Sequence, residues 1–220
     1  MQLMSVNVGL PREVEWNGQN VSTGIFKQPV EGRVALRTLN LDGDRQADLS
    51  VHGGTYKAVY CYPLTHYEYW KKELAGRELP MGMFGENFTL DGFAEETIYL
   101  GDRYAIGSAE VVVTQPRLPC YKLGIRFGAD DMVKRFFASR RTGFYVAVTR
   151  EGEVGADDEM KLVHSDPNRV PVSEIMRLYA EKQYSGANVD AVQRALRVVA
   201  LPESWKQYFR DGLERGPNQS

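Results

Sequence analysis

The stretch Glu110-Val-Val-Val-Thr-Gln-Pro-Arg-Leu-Pro-Cys-Tyr-Lys122 sets the terms for the chain. Three successive valines followed by Thr114 are stiff at χ1 and suit a pleated surface, which predicts a strand over Glu110–Thr114. Pro116 and Pro119 cannot donate to a sheet ladder, so the strand gives way to a rigid loop. Cys120 is therefore presented by a loop and not woven into a sheet. Arg117 and Lys122 lie within three residues of it, and nearby cations favour the thiolate, which is both nucleophile and soft-metal ligand. The residues alone also allow a plainer account, a small buried hydrophobe, the commoner fate of a free cysteine. Cys61, inside the apolar run Ala58–Tyr62 with no flanking charge, reads as core.

Outward from this stretch the text keeps the same character. Short segments rich in Val, Ile, Tyr and Thr, punctuated by Gly, Asp and Asn, run from Leu3 to about Val163 and predict a mainly β fold, a twisted barrel or sandwich. The other strand candidates are Leu3–Val8, Arg33–Asn40, Ala58–Tyr62, Asn87–Leu90, Arg103–Ile106, Gly143–Arg150 and Met160–Val163. Two helices are expected among them, from Pro63 to Gly76 and from Asp130 to Ser139. A turn-rich connector, His164 to Pro171, then leads to three short amphipathic helices over Ser173–Gln183, Asn188–Val199 and Pro202–Leu213. The chain thus divides into a β domain (1–164), a small three-helix domain (165–214) and a frayed tail (215–220).

Length and charge bound the rest. With 220 residues, 43% of them apolar, there is enough chain for one substantial core. The 27 basic and 29 acidic residues leave a net charge of −2, so no global field draws a nucleic acid or an anionic membrane. Residues 165–214 carry seven basic against seven acidic side chains, which favours a packing or protein-contact role for the helices over a DNA-binding one. No apolar run reaches a membrane-spanning length and Met1–Val14 lacks the pattern of a signal peptide, so a cytoplasmic protein is expected. Two cysteines are too few for a disulfide framework, and neither has a second ligand at chelate spacing. The oligomeric state is not legible, a dimer being one option.

Three further stretches could carry chemistry. In Val51-His-Gly-Gly-Thr-Tyr-Lys57, the pair Gly53–Gly54 lets backbone N–H groups approach a ligand, Lys57 could add charge to a bound anion, and His52 could donate to it or brace the turn. The spacing is not that of a phosphate-binding P-loop. In Gly82-Met-Phe-Gly-Glu-Asn-Phe88, Asn87 could donate to a polar cofactor edge and Glu86 could orient it or move protons; an ordinary turn accounts for both equally. In Arg140-Arg-Thr-Gly-Phe-Tyr145, Arg141 could reach an anion or simply end a helix.

Taken in order along the chain, Gly43-Asp44, Ala47-Asp48, Val51–Gly54, Lys57–Tyr60, Gly85-Glu-Asn87, Leu100-Gly-Asp102 and Gln115–Leu123 resemble the MOSC domain, the module related to the C-terminal part of molybdenum cofactor sulfurases. The likeness covers roughly Met1–Val163, and the three-helix extension resembles that of the stand-alone bacterial YiiM-type members. The resemblance implies a strongly bent β-barrel whose cleft holds molybdenum bound to a pterin. Carried over by motif, Cys120 is the metal's thiolate ligand and a catalytic residue beside Glu86. His52, Gly53, Gly54, Lys57, Asn87, Thr114, Arg117 and Arg141 then hold the molybdopterin's phosphate and pterin edges. Pyridoxal phosphate, often mentioned for the wider family, finds no lysine here in a context for a Schiff base.

The reaction so implied is reduction of N-hydroxylated compounds, N-hydroxylaminopurines included, to the parent amines. Neither a cysteine cluster for iron–sulfur nor a dinucleotide-binding glycine motif is present, so an external electron-donor reductase is expected. Two alternatives stay open: a sulfur carrier relaying a persulfide on Cys120, and a non-enzymatic module binding an anion or cofactor.

Overall fold

The computed structural model describes residues 1–47, 53–181 and 184–215. In chain order its strands are β1 (Gln2–Val8), β2 (Arg12–Trp16), β3 (Gln19–Thr23), β4 (Gln28–Pro29), β5 (Arg33–Leu36), β6 (Val59–Pro63), β7 (Phe88–Asp91), β8 (Arg103–Ile106), β9 (Ala109–Pro116), β10 (Phe144–Arg150), β11 (Gly152–Gly155) and β12 (Met160–His164). The helices are α1 (Leu64–Glu73), α2 (Lys122–Phe127), α3 (Met132–Ser139), α4 (Val172–Glu181), α5 (Ala187–Arg197) and α6 (Glu203–Glu214).

Among the described residues eight strands form one curled sheet in the order β12-β8-β9-β10-β6-β7-β1-β4, a half-barrel, beside two ribbons, β11-β5 and β2-β3. Within the large sheet only β6 and β7 run parallel. The curled sheet followed by C-terminal helices is the bent β-barrel architecture expected, and with six α-helices among the described residues it is mixed α/β. Strand β9 shows why its sequence folds as it does: Val111 and Val113 alternate onto the core face and are fully buried. Each such side chain contributes about 1.5–3 kcal/mol by leaving water.

Several expectations shift. The predicted strand Arg33–Asn40 ends at Leu36, because the Arg37 N–H closes a turn onto the Asn40 carbonyl at 2.8 Å. Among the described residues three α-helices, not two, interrupt the strands; α2 follows Cys120 at once. The β2-β3 hairpin was not anticipated, although Asn17-Gly18, both at positive φ (51° and 76°), is a strong two-residue hairpin signal.

Two apolar clusters fill the interior. The larger runs from Leu3 and Val6 through Val111 and Val113 to Ile175, Leu178, Val192 and Phe209, so the barrel and the C-terminal helices share one continuous core. The smaller is aromatic, with Tyr60, Tyr62, Tyr67, Trp70, Phe84, Phe127 and Phe136 in mutual contact beneath the loop that carries Cys120. Among the described residues no helix is long and apolar enough to cross a membrane.

Candidate functional site

Cys120 lies in the short link between β9 and α2, half-buried, and its carbonyl accepts the Leu123 N–H at 3.0 Å as the helix begins. It stands on the border of two cavities. An inner one, about 90 Å³, is also lined by Lys27, Lys57, Asn87, Arg117 and Lys122. An outer one, about 510 Å³, shares Cys120, Lys57 and Tyr145 with it and is walled elsewhere by the 115–119 segment and by the C-terminal helices.

Register brings the inner walls together. Strand pairing sets Tyr60 opposite Tyr145, with ring centroids 5.4 Å apart, and the Arg117 guanidinium lies 4.3 Å over the Tyr60 ring. One Arg117 N–H donates to the Phe84 carbonyl at 2.6 Å, which fixes the guanidinium against the cavity. Lys57 is held from below: its neighbour Tyr56 offers a carbonyl to the Thr114 hydroxyl at 2.7 Å and to the Gln115 amide at 3.2 Å. Burial pulls the Lys57 ammonium below its ordinary range, and the negative charge of Cys120 pulls the other way. That attraction is mutual, so the cations around Cys120 favour its thiolate.

Lys27, which sequence reasoning missed, comes from the loop before β4. Its ammonium hydrogen-bonds Asp44, and both are buried. Burial lowers its pKa and Asp44 only partly offsets this. Asp44 also accepts the Gly9 N–H at 2.9 Å and the Asn87 amide at 2.9 Å. Since no acidic side chain lines either cavity among the described residues, Lys57, Arg117 and Lys122 leave the inner one locally positive in a chain of net charge −2.

The expected site residues separate on this geometry. Cys120, Lys57, Arg117 and Asn87 converge on the inner cavity. Asn87, however, spends both amide protons, on Asp44 and on the Asn7 carbonyl at 3.2 Å, and its oxygen accepts the Tyr60 N–H, so it has no proton for a cofactor edge. Thr114 is buried behind the wall, its hydroxyl between the Tyr56 and Tyr145 carbonyls, and supports Lys57 instead of touching a ligand.

Glu86 lies below the cavity floor and is fully buried. Its carboxylate accepts hydrogen bonds from the Tyr67 hydroxyl, the Gly82 N–H (2.8 Å), the Thr89 hydroxyl (3.0 Å) and the Phe84 N–H (3.1 Å). Such a saturated group braces the 82–86 loop, and it is not among the residues that line the cavity. Arg141 is turned away as well. Helix α3 ends at Arg140 with φ 57°, and the Arg141 guanidinium folds back onto the Ser139 carbonyl (3.1 Å) and the Tyr69 ring (4.2 Å).

His52 lies outside the described residues. Gly53 and Gly54 lead into the 3-10 turn Thr55–Lys57, with Gly54 at φ 84°, ψ 170°, a region open essentially to glycine alone. A Cβ there would meet nothing within 4 Å among the described residues, and its cost is conformational. Gly54→Ala is expected to lower stability by about 1–3 kcal/mol. An unchanged urea midpoint would show that this turn is not held as described.

Residues 48–161 match the MOSC domain. The chain belongs to the MOSC family. This MOSC chain is 38% identical over 213 residues to YflK of Bacillus subtilis (strain 168), covering 97% of itself and 95% of that protein. The crystal structure of YiiM from Geobacillus stearothermophilus superposes with a TM-score of 0.78 at 32% identity, over 96% of this MOSC chain and 98% of that one. A protein of Gibberella moniliformis (strain M3125 / FGSC 7600) named "Reductase" is 28% identical over 186 residues, which are 83% of the MOSC chain but only 33% of the fungal protein.

Proposed function

We propose that this chain binds the molybdenum cofactor through Cys120 and reduces N-hydroxylated compounds to the parent amines with electrons from a separate protein. The observation that carries the reading is a half-buried thiol at the junction of two cavities, ringed by Lys57, Arg117 and Lys122. Among the described residues no three His, Cys, Asp or Glu side chains gather as a metal site, so a metal held here would bring most of its ligands with it. A negatively charged organic chelate of a soft-liking metal suits that donor set.

When bound, the cofactor supplies the two-electron redox chemistry. The chain's own contributions are fewer and definite. Cys120 would give the metal one sulfur donor, and Lys57 and Arg117 lie close enough to feel its charge. Arg117, Lys57 and Lys122 offset phosphate charge, with Arg117 presenting the fork that suits a phosphate. Reduction of an N-hydroxy group takes up two electrons and two protons, breaks the N–O bond and releases one water. The donor is expected in trans, because the sequence shows neither a cysteine cluster for iron–sulfur nor a dinucleotide-binding glycine motif.

Protein purified from a host that makes the cofactor should contain close to one molybdenum per chain and should reduce N-hydroxy substrates with a viologen as electron donor. Protein fully loaded with molybdenum yet inert toward every N-hydroxy compound tried would overturn the activity. Failure to take up the metal would overturn the cofactor as well.

A further inference from the structure

The outer cavity has walls of unlike origin. Lys57, Cys120 and Tyr145 come from the barrel, whereas Tyr179 of α4 and Trp205 and Tyr208 of α6 come from the C-terminal helices. None of the three helix residues reaches the inner cavity. Their rings form a cluster, Tyr179 lying 5.4 Å from Trp205 and 4.9 Å from Tyr208 between centroids.

The cluster is fixed in place by its polar ends. The Trp205 indole N–H donates to the Gln115 side-chain oxygen at 2.7 Å, in the strand that leads to Cys120, and the Tyr208 hydroxyl donates to the Tyr179 carbonyl at 3.0 Å. With those groups committed, the wall offers a ligand ring faces and edges on side chains that already sit in their bound positions. Aromatic pairs gain from offset or edge-on contact beyond the area they bury, and a preordered wall loses little entropy on binding. Among the described residues of this cavity, Lys57 is the one cationic side chain and no carboxylate joins it, so a cationic ligand is disfavoured there.

We propose that the C-terminal helices form the substrate-selecting wall of the site, with Tyr179, Trp205 and Tyr208 packing against a flat, conjugated, uncharged or anionic ligand whose reactive end lies toward Cys120. This assigns a binding role to helices whose balanced charge pointed to packing or protein contact, and it rests on the reading of the same thiol's site given above. Saturated, puckered ligands of equal size would gain the burial but not the ring contacts.

The test compares benzohydroxamic acid with its cyclohexane counterpart, two uncharged N-hydroxy amides that differ in flatness, on the molybdenum-loaded full chain. Wild type should favour the phenyl compound in kcat/KM by roughly three- to ten-fold, the scale of one aromatic pair. Tyr208→Phe should keep that preference, since the ring stays, and Tyr208→Leu should bring it close to unity. A preference that survives in Tyr208→Leu overturns the proposal, as does a wild type with no preference.

Calorimetric binding of the reduction products benzamide and cyclohexanecarboxamide separates this inference from the reductase reading. If neither hydroxamate is reduced, the reductase reading falls. The wall then stands if wild type binds benzamide preferentially and Tyr208→Leu does not, and falls if both proteins bind the two amides alike.

Discussion

Cys120→Ser is expected to lose molybdenum and to lower N-hydroxy reduction by more than about a hundred-fold, since removing even an outer partner of a metal ligand costs roughly 10–100-fold. A serine hydroxyl stays protonated where the thiol ionises, and hard oxygen is a poor substitute for soft sulfur. The surrounding cations sharpen the effect, because Lys57 and Arg117 face the charge that the substitution removes. Folding should hardly change. Cys120 sits half-buried in a loop with its backbone bond to Leu123 intact, and a substitution of that kind shifts stability by about 0.5 kcal/mol. Lost metal with an unchanged thermal midpoint, measured on the same preparation, is the expected pair of results. A fully active, metal-loaded Cys120→Ser would remove the thiol from the account. A sulfur carrier would behave differently again, showing a labile extra sulfur on Cys120 by mass spectrometry.

Glu86→Ala should produce the largest loss of stability, about 3 kcal/mol: it orphans donors from Tyr67, Gly82, Phe84 and Thr89 at once, each costing about 1–3 kcal/mol when buried unpaired, and relief of the buried carboxyl's own desolvation returns part of that sum. For a domain of this size that is roughly 6–12 °C in thermal midpoint. The pH dependence has a definite sign. Burial, the dominant influence, raises the Glu86 pKa above 4.5 in spite of the hydrogen bonds it accepts. The folded chain therefore holds a proton that the unfolded chain has released just above pH 4.5. The stability linked to this group is complete below that pH and is lost as pH rises through the folded pKa. Glu86→Ala should flatten that slope.

Any effect of Glu86 on catalysis should pass through the 82–86 loop, whose Phe84 carbonyl holds Arg117. Glu86→Gln with a wild-type midpoint and reduction abolished would restore the proton-moving role that its burial argues against.

Much of the site was legible because its signals are local. Prolines 116 and 119 mark the end of β9 in any context, and the cations beside Cys120 are neighbours in sequence. What was not legible depends on pairing between distant segments. Lys27 carries no motif and reaches the cavity only because its loop packs against Asp44 and Asn87. The Tyr60–Arg117 contact needs the β6-β10 and β9-β10 registers, which sequence periodicity does not fix. Helix α2, with six residues, is too short to display a period. Glu86 and Arg141 failed for a different reason: residue type suggested chemistry, while the hydrogen bonds that occupy them come from Tyr67, Gly82 and Ser139, chosen by the fold. Trp205 and Tyr208 were read as a helix's packing face, and one edge of that face turns out to line a cavity.

X-ray absorption at the molybdenum edge tests the central claim most directly, on protein loaded in a cofactor-producing host. The sulfur shell of wild type should hold one more neighbour than that of Cys120→Ser reconstituted with excess cofactor. An identical sulfur count in the two proteins would contradict it.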